Sequence, residues 1–266
     1  MKQMSRLLST SLACLFFLLS CDKNGTGNDS SMKPLAYADS VLYRTAGSGD
    51  VFAKPLNEQA GSYTVFPEDG LDIDASSGAI NVSRSESGLR YRVTYHAPSG
   101  QTSSTSVVIS GVNYPDKYYR LSANDSLCRP VYNADAARAL PAGSFDDGGT
   151  ANSGGCSIRT SNGIINLAQS IRNGLFGAVP QNDVRKEVEI NYRIADKSNS
   201  ASNSIKVKLY YYETEADVPE DLKQTIRDHE AQLLATFASV PPANDATGRV
   251  ARLQKPRPPC VVIIAH

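Results

Sequence analysis

Histidine, cysteine and acidic side chains are the groups in this sequence that could do chemistry. The 266 residues include five cysteines and three histidines, His96, His229 and His266. The sequence holds no local motif for a serine nucleophile elbow, a zinc-dependent hydrolase, a phosphate-binding loop or a dinucleotide-binding loop. We therefore predict no catalytic residues, no cofactor and a protein that is not an enzyme. A hydrolase whose triad residues lie far apart in sequence stays open as an alternative.

A repeated stretch organises the elements that would position any such groups. Gly70–Ser85, GLDIDASSGAINVSRS, returns 85 residues later as Gly155–Ser170, GCSIRTSNGIINLAQS, with seven of sixteen positions identical. A repeat of this length indicates one supersecondary unit used twice. Ile73, Ile80 and Val82 alternate with other residues around a glycine turn, which predicts a hairpin with one buried face. Further alternating strands follow each hairpin, as in a small antiparallel β-sandwich.

The same stretch offers one candidate metal site. Asp72, Asp74 and Ser76 alternate as the ligands of a calcium loop do. The second copy has Arg159 in place of Asp74 and still keeps the turn glycine. Because a turn explains both copies and calcium explains only one, we predict no metal site.

The first copy resembles the Ig-like or cadherin-like repeats of bacterial surface proteins. The matching positions are Pro67, Gly70, Leu71, Asp74, Gly78, Ile80, Tyr91 and Val93. The second copy departs from the pattern, with Cys156 in place of Leu71. The resemblance implies an all-β fold with two tandem Ig-like antiparallel β-sandwiches, residues 35–112 and 113–216. It also implies adhesion, spacing or ligand binding rather than catalysis.

The first residues of the sequence predict that the protein is located in the cell envelope. Lys2 and Arg6 precede the apolar run Leu7–Leu19, which is too short to span a membrane. The sequence Leu-Leu-Ser-Cys ending at Cys21 resembles the lipobox of bacterial lipoproteins, and the Asp22-Lys23 that follows it resembles the surface-export signal of Bacteroidota-type lipoproteins. This resemblance implies a signal peptide over residues 1–20, a lipid on Cys21, and an outer-membrane lipoprotein that is exposed at the surface. An ordinary secretory signal is the alternative. Residues 21–34 are polar and predict a flexible tether.

The remaining cysteines suggest a disulfide. Aligning the two copies from their first strands places Cys128 at the position of Leu42, and Cys156 at that of Leu71. If the two leucines pack together, the two cysteines are close enough to bridge, and an envelope location permits a disulfide. The alternative is two buried free thiols.

Several segments outside the repeats carry further expectations. The loop 174–186 contains Leu175, Phe176 and Val179, which form a candidate binding loop or fold back to cap the core. An apolar stripe at helical spacing predicts a helix over 217–239, capped by Asp217. We expect a disordered Pro-rich tail over 240–266. Its final apolar run, CVVIIA, has two interpretations: it adds a strand to a neighbour's sheet edge, or it is an aberrant end of the reading frame.

These observations favour a non-enzymatic, lipid-anchored envelope protein with a binding, adhesion or spacer role. Its partners would be the membrane, and a protein or glycan at the cell surface. Nucleic acid is not expected, because 27 basic and 27 acidic residues leave no net charge. The alternative is a glycan-binding accessory lipoprotein of a polysaccharide-uptake system. With no Trp in the chain, its aromatic platforms would be Tyr118, Tyr119 and the run Tyr210–Tyr212.

Lipid anchoring predicts that Cys21→Ser releases the protein from the membrane fraction, because Cys21 is the only lipidation candidate left after signal cleavage. Phase partition of the full chain into detergent measures the effect, and Cys128→Ser serves as the matched control. Continued partition of the Cys21→Ser chain into detergent would show that the lipoprotein interpretation is wrong.

Overall fold

The computed structural model describes residues 32–47, 49–68, 70–237 and 258–266, with only the backbone described at 231–237. Most of its regular structure is β-strand. The predicted signal peptide, the lipidation candidate Cys21 and most of the predicted tether and tail lie outside the described residues. Among the described helices, none combines the length and the apolar character needed to cross a bilayer.

Six strands, called the first module, form two facing layers. They are β1 (Val41–Leu42), β2 (Phe52–Ala53), β3 (Ser62–Phe66), β4 (Ile80–Asn81), β5 (Arg90–His96) and β6 (Thr102–Ile109). One sheet has the order β1-β6-β5-β3, and a ribbon of β2 and β4 lies opposite it. Alternate residues of β5 are buried, as the two-residue period of a strand with one inward face requires. Buried side chains from both layers, including Ile80, Tyr91 and Ile109, form one apolar cluster.

The remaining elements, called the second module, repeat this arrangement with additions. They are β7 (Val112–Asn113), β8 (Lys117–Arg120), β9 (Leu127–Cys128), β10 (Val131–Tyr132), β11 (Gly143–Phe145), α1 (Thr150–Ser153), β12 (Ile165–Asn166), α2 (Leu167–Arg172), β13 (Val184–Ile194), β14 (Asn203–Tyr212), α3 (Glu220–Phe237) and β15 (Cys260–Ile264). The main sheet has the order β11-β13-β14-β15-β8, and β9 pairs with β12. This module has its own apolar cluster, which includes Phe145, Ile190 and Val207.

The structure confirms that the repeated stretch is a hairpin in both modules. Ile73 faces Ile80 across the turn, and Ile158 faces Ile165 in the same way. The buried face of the second copy carries Ile158, Ile165 and Leu167. The hydrogen bonds between the arms also match, because Asn81 and Asn166 each donate their backbone N–H to the corresponding residue of the first arm.

A tyrosine holds each hairpin turn against the core. The Tyr37 hydroxyl donates to the Gly78 carbonyl at 2.7 Å, and the Tyr114 hydroxyl donates to the Gly163 carbonyl at 2.6 Å. Both glycines have positive φ, at +70° and +68°. A Cβ on Gly163 would lie 2.6 Å from the Phe145 ring, so the glycine is needed both for its backbone conformation and for the close approach of the ring.

The predicted alignment of the first strands is wrong. Ala53 on β2 lies opposite Ile80, and Cys128 on β9 lies opposite Ile165. Cys128 therefore takes the place of Ala53 and not that of Leu42. Leu42 belongs to β1, whose counterpart is β8, since each is the outer strand on the same side of its sheet.

The prediction of a disordered tail is wrong for residues 260–264. The prediction that all strands pair antiparallel is also wrong. These residues form β15, which lies inside the main sheet and runs parallel to both β14 and β8. β1 is likewise parallel to β6. The hydrogen bonds of β15 are therefore made within its own chain, and not with a neighbour's sheet edge as the tail sequence suggested.

Helix α3 explains how two parallel strands can be neighbours, because it lies in the crossover from β14 to β15. Val218, Leu222 and Ile226 are buried in a third apolar cluster, on the face of the sheet away from the hairpin. The predicted helix over 217–239 thus exists but begins later. Asp217 closes a separate 3-10 turn through a capping box with Thr214, and β15 follows the helix.

The turn glycines generate a paired stability prediction. Gly174→Ala places a side chain at φ +81° with no atom within 4 Å, so it should cost only about 1–2 kcal/mol of left-handed strain. Gly163→Ala adds a clash with the Phe145 ring, which should cost a further 1–3 kcal/mol or so. Urea unfolding measures both free energies. Equal losses for the two variants would contradict the packing argument.

Candidate functional site at the junction of the modules

The junction between the modules is built on a closely packed backbone. Gly111 donates its N–H to Asn133 Oδ1 at 3.0 Å and accepts the Asn133 N–H at 2.9 Å. Its φ is +153°, and a Cβ there would lie 2.6 Å from the hydroxyl of Tyr192. Val112 and Asn113 then pair with β10 as β7. The chain thus leaves the first module through a segment that is itself hydrogen-bonded to the second.

The hydroxyl of Tyr192 joins the two modules. Its ring lies inside the second core, where it stacks on Phe145 with the ring centroids 5.6 Å apart. The hydroxyl lies 3.0 Å from the Ser87 hydroxyl of the first module and accepts the Val112 N–H at 3.2 Å. Tyr192 and Ser87 are both buried, and burial raises the pKa of the Tyr192 hydroxyl. An unpaired polar group is costly when it is buried. The Ser87 hydroxyl and the Val112 N–H therefore both need the Tyr192 hydroxyl as their hydrogen-bond partner.

Asp196 provides a second link of the same kind. Its Oδ2 accepts the Ser110 hydroxyl at 3.0 Å and the Tyr132 hydroxyl at 2.8 Å, while its Oδ1 accepts the Ser198 N–H at 2.8 Å. Burial, together with the Asp196 carboxylate, raises the pKa of Tyr132 to about 12. The stability that neutral Tyr132 contributes is therefore complete below pH 10 or so and is lost as the pH rises toward 12.

Charged side chains extend these links at the rim. Arg44 of the first module donates to Asn203 Oδ1 at 3.0 Å. Lys197 lies 3.5 Å from an oxygen of Asp39 and 5.7 Å from the centroid of the Tyr43 ring. Exposed ion pairs contribute little to stability, so these rim contacts stabilise the junction less than the buried hydroxyls do.

A small polar cleft opens between these links, lined by residues that include Arg44, Ser110, Asp196 and Asn203. It presents one cation, one carboxylate and several hydrogen-bonding groups, so it suits water or a small polar group. The Ser110 hydroxyl is bonded to a carboxylate and not to a histidine. Within the described ranges, no cluster of three or more His, Cys, Asp or Glu side chains is placed to hold a metal ion.

The predicted disulfide is not present in this structure. Cys128 and Cys156 are both buried and carry free thiols. The Tyr119 hydroxyl lies 3.1 Å from Cys128 Sγ, and burial raises the pKa of each thiol to about 12. The prediction is wrong because it depended on matching Cys128 with Leu42, whereas β9 corresponds to β2.

The candidate binding loop is mostly part of the core. Leu175 and Phe176 are 7% and 4% exposed, and the Phe176 ring lies 5.8 Å from that of Tyr211. Both side chains belong to the apolar cluster of the second module, as the alternative expects, so they are not exposed to a partner in this structure. Val179 alone remains at the surface, with 73% exposure.

The tyrosines proposed as glycan platforms do not present their faces to solvent. Tyr119 and Tyr210–Tyr212 are buried, and Tyr118 is half-buried against the third cluster with the Arg120 guanidinium 5.8 Å from its ring centroid. The exposed apolar side chains include Phe52 and Leu127 instead. These two occupy equivalent places, since Phe52 faces Asn81 and Leu127 faces Asn166.

The other candidate chemical groups have local partners. Asp74 accepts hydrogen bonds from the side chains and N–H groups of Ser76 and Ser77, which lowers its pKa and fits the predicted turn. His96 lies 2.8 Å from the Thr64 hydroxyl. His229 Nδ1 lies 3.1 Å from Asp116, which ties α3 to the start of β8.

Comparisons with known proteins assign no function to this site. No protein-family model matches the chain, and no curated protein matches it. Solved structures similar to it include protocadherin gamma B7 extracellular cadherin domains 1–4 (13% identity, TM-score 0.20) and Drosophila N-cadherin EC1–4 (11% identity, TM-score 0.18). The matches cover 66% and 67% of this chain but only 50% and 49% of those chains. Because TM-scores this low carry no argument about the fold, the description of the fold depends only on the sheets and apolar clusters given above.

The buried thiols generate a labelling prediction. At pH 8 a thiol with a pKa near 12 is ionised in only about one molecule in ten thousand, and the thiolate is the reactive form. Maleimide should therefore leave Cys128 and Cys156 unmodified in the folded protein and modify both in urea without reductant. Peptide mass mapping measures this, with an added Ser106→Cys as the exposed control. If maleimide modified Cys128 and Cys156 in urea only after a reductant was added, the two cysteines would be joined by a disulfide, and the free-thiol interpretation would be wrong.

Proposed function

We propose that this chain is a non-enzymatic, lipid-anchored protein of the bacterial cell envelope, and that its two Ig-like modules form a rigid spacer with a binding surface. The anchor is proposed from the sequence ending at Cys21. The modules are proposed as Ig-like sandwiches because each pairs a larger sheet with a two-stranded ribbon over its own apolar cluster.

The observation that carries the spacer role is the buried hydrogen-bond network across the junction. Relative motion is the usual expectation for domains that share a small polar interface. Here, bending would separate the Tyr192 hydroxyl from Ser87 and Asp196 from Ser110, which are bonded at 3.0 Å in both cases. Leaving such buried groups unpaired costs about 1–3 kcal/mol each, so the arrangement of the two modules that keeps these hydrogen bonds is strongly preferred.

A protein partner is favoured over a glycan for the binding surface. Phe52 and Leu56 on the first module are 58% and 62% exposed, and their side chains suit an apolar contact. Leu127 gives the second module a smaller apolar side chain at the place equivalent to that of Phe52. Among the tyrosines named above, none offers the open aromatic face on which a sugar ring stacks.

Spin-label distances test the spacer role. Labels on Ser106→Cys and Lys186→Cys, one exposed position in each module, should give a single narrow distance distribution. Tyr192→Phe removes the linking hydroxyl, so it should broaden that distribution and lower the free energy of unfolding by about 1–3 kcal/mol.

Tyr43→Phe is the matched control for this experiment. Tyr43 lies at the same junction but contributes its ring, whose centroid lies 5.7 Å from the Lys197 ammonium. It should change neither the width of the distribution nor the stability appreciably. A broad distribution in the chain that retains Tyr192 would refute the rigid spacer.

A further inference from the structure

Helix α3 runs beside β8 toward the junction of the modules. Before the helix begins, Glu215 pairs with Arg120 at the end of β8 at 2.6 Å. Further along the helix, His229 Nδ1 lies 3.1 Å from Asp116, the residue before β8. The helix from Glu220 to His229 and the strand from Arg120 back to Asp116 are both about 13 Å long. Helix α3 is therefore antiparallel to β8, and at His229 it has reached the junction end of this strand.

The helix continues past the junction onto the first module. Eight residues follow His229 before α3 ends at Phe237, which extends the helix by about 12 Å. The backbone of α3 contacts that of β5 in the first module. β5 begins beside the junction, because a Cβ on Gly88, two residues earlier, would lie 2.4 Å from the Val112 backbone. Since the turns up to His229 lie over the second module, the turns of α3 that reach β5 are its last ones.

Asp116 fixes the helix at the junction. One oxygen of its carboxylate accepts the Cys260 N–H at the start of β15, and the other lies 3.1 Å from His229. The side chains of His229 and Asp116 are only 16% and 12% exposed. One carboxylate thus joins α3 to the starts of β8 and β15. Ile226, one turn earlier, is buried in the third apolar cluster, so polar and apolar contacts together hold the helix on the sheet up to the junction.

The helix and the buried hydroxyls restrain the junction from opposite faces of the main sheet. Tyr192 belongs to the core between this sheet and the hairpin, and its hydroxyl bonds Ser87 of the first module. Ile226 belongs to the cluster on the other face. A joint that is held on one face alone can open toward the other, whereas contacts on both faces oppose bending in either direction. The helix therefore adds a restraint that the hydroxyls do not supply.

We propose that α3 is a strap across the junction, fastened to Asp116 by His229 and seated on β5 with its last turns. With the strap seated, the two modules form one rigid body. With its last turns released from β5, the buried hydroxyls remain paired at first, but the modules tilt. Local release of a helix end requires less free energy than unfolding of a whole module, so α3 controls the stiffness of the junction. This inference deepens the proposed spacer role and rests on it.

Spin-label distances in the full-length chain test the strap. Labels on Ser106→Cys and Glu230→Cys, both exposed positions, report where the helix lies on the first module. The pair Ser106→Cys and Lys186→Cys reports the distance between the modules. Both pairs should give narrow distributions in the chain that keeps His229. His229→Ala removes the fastening, so it should broaden both distributions.

Two variants are matched controls for His229→Ala. Asp228→Ala removes the neighbouring exposed carboxylate, which accepts a hydrogen bond from Gln224 within the helix, so both distributions should stay narrow. His229→Asn keeps a side-chain N–H that can donate to Asp116, and it should restore much of the narrow width. A role of His229 in packing alone would give no such rescue.

The outcomes separate the strap from the spacer. If His229→Ala broadens the helix distance while the distance between the modules stays narrow, the strap is refuted and the spacer stands. If His229→Ala leaves both distributions narrow, the strap is refuted as well. A broad distance between the modules in the chain that keeps His229 refutes the spacer itself, and the strap with it.

Hydrogen exchange adds a measurement on the unlabelled chain. The amides of α3 after His229 should be as protected as those at 222–229, because their turns are seated on β5 and opening them requires breaking that contact. Exchange of these amides as fast as in an unfolded peptide would show that the last turns are not seated, and it would overturn the strap.

Discussion

The hydrogen-bonding requirement of the β14 backbone shapes the second module more than any single side chain does. β14 pairs with β13 on one side, and its other edge would be exposed without a partner. An unpaired edge beside an apolar cluster is unfavourable in water and invites association. β15 covers this edge and brings β8 and α3 with it, since α3 packs on the face that β15 helps to form. The position of the helix is thus a consequence of how the sheet is completed.

Local sequence patterns predicted the parts of the fold that depend on near neighbours. The hairpins follow from alternation around Gly78 and Gly163, and the strands β5 and β13 follow from the same two-residue period, with Val188, Ile190 and Tyr192 buried. These features need only the pleat of a strand and the freedom of a glycine. For this reason two copies that share seven of sixteen residues fold into the same hairpin.

Features that depend on distant pairing were beyond such reasoning. Cys128 was matched with the wrong strand because short strands such as β9 carry too few residues to fix their register from sequence. The CVVIIA run indicated a strand but not its neighbours, because the residues that pair with it lie 52 positions away on β14 and 144 positions away on β8. The junction could not be foreseen, because Ser87 and Tyr192 are 105 positions apart and Tyr192 looks like an ordinary core residue of β13.

The parallel pairing of β1 with β6 has a mechanical consequence. β1 opens the first module and β6 closes it, so tension between the two ends of the module acts along both strands in opposite directions. The hydrogen bonds between them, such as those from Val108 to Ser40 and from Ser110 to Leu42, then bear the load together in shear rather than one after another. In the second module β15 is the last strand, and it pairs in parallel with β8 near the start of that module. Tension between the two ends of the second module therefore also loads a ladder of parallel strands in shear.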